Sequence, residues 1–480
     1  YSSTTAGTSN LRLGVNAGNS IASGGNFNTV VGDEAGTAIS TGDQHVFVGY
    51  GAGDATTTSE NNVAIGHNAL TTNILSSKNV AVGSAALFTV NTATAVDSFN
   101  VGVGYHAGVS LTTGQFNVVL GSRALDAATT GWSNTAIGDR TLSTETTGQS
   151  STAVGYRALT TQNVGGTTDT YNTAVGVNAG VAVTTGVQNT LIGGLAGDAL
   201  TDADDNTAVG VGALTTDTLG SKSTAIGRSA LQTQNFTTAT ATHNTAVGHS
   251  AGINVTTGTQ NTAIGSDCGS RITTGNENTF LGYKAGVHAV PTLTGEDNTL
   301  IGAYSHVTAT DGDAANAFGY NVAGEAGYTT VGNAGNDIRA AHGNVTWATV
   351  SDVRYKKEIA NSTAGLSFIN DLTPRTFKYK TLGELPEAFR AYEADSTKVF
   401  KNSYTNHGFI AQEVKTAIDN HSELKDGFKL WDDRSDGSQE VGEAALIPIL
   451  VKAVQELSTA VQELSTALDA SLARITTLEG

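Results

Sequence analysis

Between residues 351 and 357 the chain reads Ser-Asp-Val-Arg-Tyr-Lys-Lys, which places a hydroxyl a few residues from three cationic side chains. A serine hydroxyl is a poor nucleophile at neutral pH and needs a base within hydrogen-bond reach. A lysine can be that base when exclusion of water disfavours its ammonium form. Ser351 is therefore a candidate nucleophile, with Lys356 or Lys357 as the base. Spacing alone leaves open the alternative that Ser351 caps a helix and the lysines are solvated charges. Other chemistry-bearing residues carry less. His67, His106 and His249 each follow the glycine of a repeated phrase, and three copies of the chain would make imidazole rings able to hold a metal. A solvated side chain at a variable position is the simpler reading. Asp202, Asp204 and Asp205 lack the glycine-to-acid spacing of calcium loops. Gly49-Tyr50-Gly51-Ala52-Gly53 lacks the lysine and long helix of a phosphate cradle. No carboxylate pair stands out as a glycosidase site. The expectation is no metal and no cofactor.

The 351–357 stretch sits where the composition changes. Residues 1–350 hold 51 of the 58 glycines and only 10 Lys+Arg against 23 Asp+Glu. Residues 351–480 hold 15 Lys+Arg, 20 Asp+Glu and three of the four prolines. Such an acidic chain lacks the basic stripe that nucleic-acid binding needs. With no run of 18 apolar residues, no helix is expected to insert in a membrane. Cys268 is the single cysteine, so no intrachain disulfide forms. No signal peptide is recognisable, and a start at Tyr1 rather than Met fits a fragment.

Before the junction a phrase recurs: Asn-Thr-Ala-(Val/Ile)-Gly, two variable residues, then Ala-Gly or Ala-Leu. Its glycine returns at spacings of 17, 17, 17 and 21, for example at Gly104, Gly121, Gly138, Gly155 and Gly176. A fixed period of this kind means stacked coils. Thr and Val/Ile in short runs between Gly/Asn clusters make the unit β, with roughly two short strands and two turns per coil. About 18 coils rising about 4.8 Å each give a rod on the order of 90 Å. The glycine marks positive φ or a close backbone approach. The extra residues of every fourth coil, near 162–168 and 234–240, read as loops bulging from the rod. Each coil offers so few small apolar side chains that three chains are expected to bury them along a common axis.

After the junction the pattern becomes that of a small globular domain. Ile359, Leu366, Ile369 and Leu372 predict a helix within 357–372, ended by Thr373-Pro374. Residues 376–380 alternate like a strand, and 412–418 look helical. Leu450, Val454, Leu457, Val461, Leu464, Leu468, Ile475 and Leu478 follow a heptad, with Ser471 in the one missing apolar place. This predicts a coiled-coil helix.

The repeated phrase, as in Asn172-Thr173-Ala174-Val175-Gly176, resembles the head repeats of trimeric autotransporter adhesins and repeats in phage tail-fibre shafts. The C-terminal part has three blocks in order. They are Ser351-Asp352-Val353-Arg354-Tyr355-Lys356, then Phe368 to Phe377 (Phe-Ile-Asn-Asp-Leu-Thr-Pro-Arg-Thr-Phe), then His407-Gly408-Phe409-Ile410-Ala411-Gln412-Glu413-Val414. With the terminal helix, these resemble the intramolecular chaperone auto-processing domain of phage endosialidases, tail spikes and tail fibres. The resemblance implies a domain that trimerises, guides folding of the fibre before it and cuts itself off between Val350 and Ser351. It assigns the nucleophile to Ser351, the base to Lys356 and an orienting role to His407.

The expected architecture is a mainly β repeat fibre, a parallel β-roll or solenoid of 17-residue coils in a homotrimer, followed by a small α+β domain with a C-terminal coiled-coil helix. Its segments are a shaft (1–335), a connector (336–350), a chaperone/autoprotease body (351–445) and the coiled coil (446–480). Only a single-turnover serine peptidase is expected, with no turnover enzyme in the fibre. The implied partners are two further copies, other tail proteins and a host cell-surface receptor, glycan or outer-membrane protein. The implied setting is a virion tail fibre or, alternatively, a bacterial cell surface; a polysaccharide depolymerase is the least favoured role.

Overall fold

The structure, a computed structural model, describes residues 7–287, 293–344, 347–349, 351–389, 391–425, 428–434 and 437–479. It divides into two compact units, Tyr1–Val350 and Ser351–Gly480.

The first unit is a parallel β-solenoid of about 19 turns built on 17-residue coils. Each coil contributes one strand, three residues long through most of the rod, such as Thr173–Val175 and Thr190–Ile192. Successive strands pair in parallel and in register, Thr173 with Thr190, Ala174 with Leu191 and Val175 with Ile192. One strand per coil persists rather than the two expected. Second strands are two-residue pairs, such as Ser76–Ser77 with Val96–Asp97. The rest of each coil is turn, yet its backbone still bonds to the next coil: Gly180 N–H donates to the Ala196 carbonyl at 3.0 Å, and Thr184 N–H to that of Thr201 at 2.9 Å. Coil-to-coil pairing therefore does not require β dihedrals.

The middle residue of each strand points inward, and Ala174, Leu191 and Ala208 are wholly buried. They meet a second buried column from the far wall, including Ala179, Ala196, Ala213 and Leu214. The core is thus closed within one chain, whereas the sequence argument needed three chains to bury it. A narrow coil needs only one or two small side chains from each wall to fill its interior.

The repeat glycine meets both conditions expected of it. Gly193 has φ +134°, and a Cβ there would lie 2.6 Å from the carbonyl group of Gly210 in the next coil. The Ala-Gly or Ala-Leu choice also has a backbone cause. The residue four past the repeat glycine is left-handed, as at Gly180 (φ +57°) and Leu159 (φ +49°). Leucine there bears a strain of about 1–2 kcal/mol, offset by about 1.5–3 kcal/mol from full burial of its side chain.

The asparagine of the phrase forms a buried ladder. Asn189 Oδ1 accepts from the backbone N–H of Asn206 at 3.0 Å, and its Nδ2 donates to the Ala203 carbonyl at 2.7 Å. Asn172 does the same with Asn189 and Gly186. Each rung satisfies one donor and one acceptor that would otherwise be buried without a partner. At one rung His45 replaces asparagine. The longer coils do project loops, with 165–169 exposed. Beneath that loop the Gln162 amide donates to the buried Glu145 at 3.0 Å and to Ser151 at 2.8 Å. Gln234, Asp217 and Ser223 repeat this cluster farther along the rod. Parallel stacking ends where Tyr328–Asn333 pairs antiparallel with Asn336–Ala341.

The second unit contains α1 (Leu366–Asp371), α2 (Ala411–Asn420) and α3 (Ile447–Glu479). Two antiparallel pairs join them, Arg375–Phe377 with Asn406–Gly408 and Trp431–Asp433 with Gln439–Val441. Phe368, Val414, Ile418, Leu430, Leu446 and Ile449 form the core. The helix expected within 357–372 begins only at Leu366. Glu358 takes a left-handed φ of +54° and Ile359 is exposed, so the chain before Gly365 is not helical. Glu456 of α3 caps α1 by accepting the Leu366 N–H at 2.7 Å, which holds its carboxyl below the usual range.

Leu446, Ile449 and Ala453 attach the start of α3 to this core. Beyond them every seam position from Val454 to Leu478 is exposed. By length and composition alone the stretch Glu443–Leu478 would suffice to cross a membrane, although it contains no unbroken run of 18 apolar residues. The buried Ile449 and Ala453 and the Glu456 cap on α1 instead tie its first turns to the small domain.

Candidate functional site

The 351–357 stretch opens the second unit with a 3-10 turn, Val353–Tyr355. Its cap is Asp352, not Ser351: the Asp352 carboxylate accepts the Arg354 N–H at 2.8 Å. The same carboxylate grips the Arg354 guanidinium through Nε at 3.0 Å and Nη2 at 2.6 Å. That pairing holds the Asp352 carboxyl below the ordinary carboxylate range. The turn closes with the Lys356 N–H donating to the Val353 carbonyl at 3.0 Å.

This clasp folds the chain back so that residues five apart meet. Lys356 Nζ donates to Ser351 Oγ at 2.7 Å. The nucleophile and base candidates are therefore within proton-transfer distance. In this arrangement the lysine is the donor. For general-base chemistry the bond must run the other way, from the Ser351 hydroxyl to a neutral amine. Both side chains are exposed in the single chain. Lys357 points elsewhere, with Nζ 4.0 Å from Glu358.

His407 is not part of this cluster. It sits exposed in the strand Asn406–Gly408 opposite Thr376, with no side-chain hydrogen bond among the described residues. Val350, the other side of the expected scissile bond, lies outside the described residues. The Asp352–Arg354 clasp was not singled out from sequence. An acid and an arginine two residues apart was the available signal, but nothing in spacing ranks it above a surface pair.

The remaining candidates contact neighbouring groups of their own chain. His67 stacks on Tyr50 with centroids 5.4 Å apart, and His106 on Tyr105 at 4.0 Å. His249 lies 3.8 Å from Asp267. Asp202 accepts from the Thr185 hydroxyl at 2.5 Å, and Asp204 from the Val187 N–H at 2.8 Å. Among the described residues no group of three or more metal-ligating side chains converges.

Residues 351–423 match the family of the chaperone of endosialidase. The match starts at Ser351, the first residue of the second structural unit. The chaperone-like region takes in the Ser351–Lys356 pair, α1, α2 and His407, and it ends before α3. No curated protein and no solved structure matches the chain.

Proposed function

We propose that the chain is a trimeric fibre whose residues 351–480 act as an intramolecular chaperone and then cut themselves off between Val350 and Ser351. The observation that carries this reading is the 2.7 Å contact between Ser351 and Lys356 at the first residues of the chaperone-like match. Ser351 Oγ attacks the Val350 carbonyl as Lys356 takes the hydroxyl proton. The carbon–oxygen bond forms, the carbon–nitrogen bond breaks, and Lys356 returns the proton to the departing Ser351 amine. Water then hydrolyses the ester, leaving a Val350 carboxylate and restoring the serine hydroxyl. The step is single-turnover.

Lysine becomes a base only where water is excluded, and the isolated chain leaves Lys356 exposed. Assembly supplies that exclusion in this reading, so cleavage waits for the trimer. Two unpartnered apolar surfaces support association. One is the α3 seam, with Val454, Leu457, Val461 and Leu464 exposed. The other is the outward row on the shaft strands, with Ile192, Ile226, Ile264 and Leu281 exposed. Attachment to a host-surface glycan or outer-membrane protein is the role that a rod matured in this way fits. The setting is a virion tail fibre or a bacterial surface.

A denaturing gel of wild type, Ser351→Ala, Lys356→Ala and Lys357→Ala tests the dyad. Wild type and Lys357→Ala should give two fragments, and the other two a single band. A cut Lys356→Ala chain would remove the lysine from the mechanism.

A further inference from the structure

Four successive coils place His106, Arg123, Arg140 and Arg157 in one column, each two residues past a repeat glycine. Backbone bonds fix the stack: Arg123 N–H donates to the Tyr105 carbonyl at 2.9 Å, Arg140 to Ser122 and Arg157 to Asp139, both at 3.0 Å. All four residues are left-handed, with φ between 52° and 56°, so they turn the same corner of the coil. Arg123 and Arg140 are exposed and Arg157 half-buried. Among the described residues none of the three guanidiniums has a hydrogen bond or ion pair within the chain. Asp126 and Asp139 are the carboxylates at this corner, so positive charge is in excess. That reverses the balance of residues 1–350, which hold 10 Lys+Arg against 23 Asp+Glu. Tyr105 and Tyr156 stand one residue before His106 and Arg157, both about half exposed.

We infer that this corner binds a linear acidic glycan carrying a carboxylate on successive sugars, laid along the rod. Planar guanidinium forks take carboxylates two bonds at a time. They recur at the coil rise of about 4.8 Å, close to the advance of one pyranose in an extended chain. The tyrosine rings at either end offer apolar faces to sugar rings while their hydroxyls stay wet. The inference deepens the attachment reading above by naming its ligand class, and it is independent of self-cleavage.

The test is calorimetric binding of a uronic-acid hexasaccharide to the full chain. A neutral glucose hexasaccharide and a single-stranded oligonucleotide serve as comparators. Wild type should bind the acidic sugar with an affinity that falls as salt rises, and bind the neutral one about tenfold or more weakly. Arg123→Gln/Arg140→Gln/Arg157→Gln should abolish binding, and the triple lysine variant should retain part of it, because it keeps charge without the fork. Matching circular dichroism of the variants shows that the rod still folds, and a misfolded glutamine variant leaves the lysine variant to decide. Equal binding by wild type and the glutamine variant overturns the inference. So does equal binding of the neutral sugar or the oligonucleotide, absence of binding by wild type, or a glutamine variant changed only in oligomeric mass. Adsorption to cells is scored separately, so lost adsorption with retained sugar binding fails the attachment reading alone.

Discussion

Replacing His45 by asparagine should remove an acid-sensitive weak point from the rod while leaving its stability at neutral pH nearly unchanged. The His45 ring is wholly buried in the asparagine ladder. Nε2 meets the Ser59 carbonyl at 2.9 Å, and Nδ1 faces the Asn62 N–H at 3.2 Å. Those are the donor and acceptor roles that an asparagine rung performs, so the neutral ring with its proton on Nε2 fits and the imidazolium does not. Burial pushes the His45 pKa from 6.5 down to about 4, against the opposing pull of its two backbone partners and Asp43. That difference corresponds to about 3 kcal/mol. Above pH 6.5 the imidazole is neutral whether folded or unfolded, and the group adds no pH dependence. As pH falls from 6.5 to about 4 the unfolded chain takes the proton first, so stability declines, and the full loss is reached below about pH 4. Coils contact only their neighbours, so the effect should be local. Amide hydrogen exchange at Val46 and Asn62, corrected for intrinsic rate, should lose about a hundredfold protection from pH 7 to pH 4 in wild type relative to His45→Asn. Identical loss in the two proteins would refute the assignment.

Asn189→Ala should leave the Asn206 N–H and the Ala203 carbonyl buried without partners. It should destabilise those coils by about 2–4 kcal/mol in denaturant melts; a loss below about 0.5 kcal/mol would mean that the ladder is incidental. Gly193→Ala places a Cβ against the Gly210 carbonyl at a φ that L-residues avoid, so it should open the rod to protease between these coils. Leu457→Asp with Leu464→Asp should lower the oligomeric mass seen by light scattering if the exposed seam is an interface. An unchanged mass would assign association to another surface.

The period, the β character and the need for glycine were legible because each follows from one residue's backbone limits repeated at a fixed step. The ladder was not, since Asn in a Gly- and Thr-rich phrase reads equally as a turn former. The closed core was missed for a related reason: whether Ala174 and Ala179 meet across a coil depends on where the corners fall, and Leu159 and Arg157 at left-handed φ are not corners one would assign from residue type. In the second unit the heptad was plain, but the late start of α1 hinged on the left-handed Glu358 and on the Glu456 cap, a contact with no local signature. At the junction the residue types were readable. What sequence could not supply was the Asp352–Arg354 clasp that brings Lys356, rather than Lys357, onto Ser351.

The most direct measurement is the intact mass and N-terminal sequence of the products formed after expression of the full chain. The account predicts two species, one ending at Val350 and one beginning Ser-Asp-Val-Arg, with Ser351→Ala giving only the 480-residue chain. A wild-type protein that stays whole after it has assembled, or one whose C-terminal fragment begins at any residue other than Ser351, would contradict it.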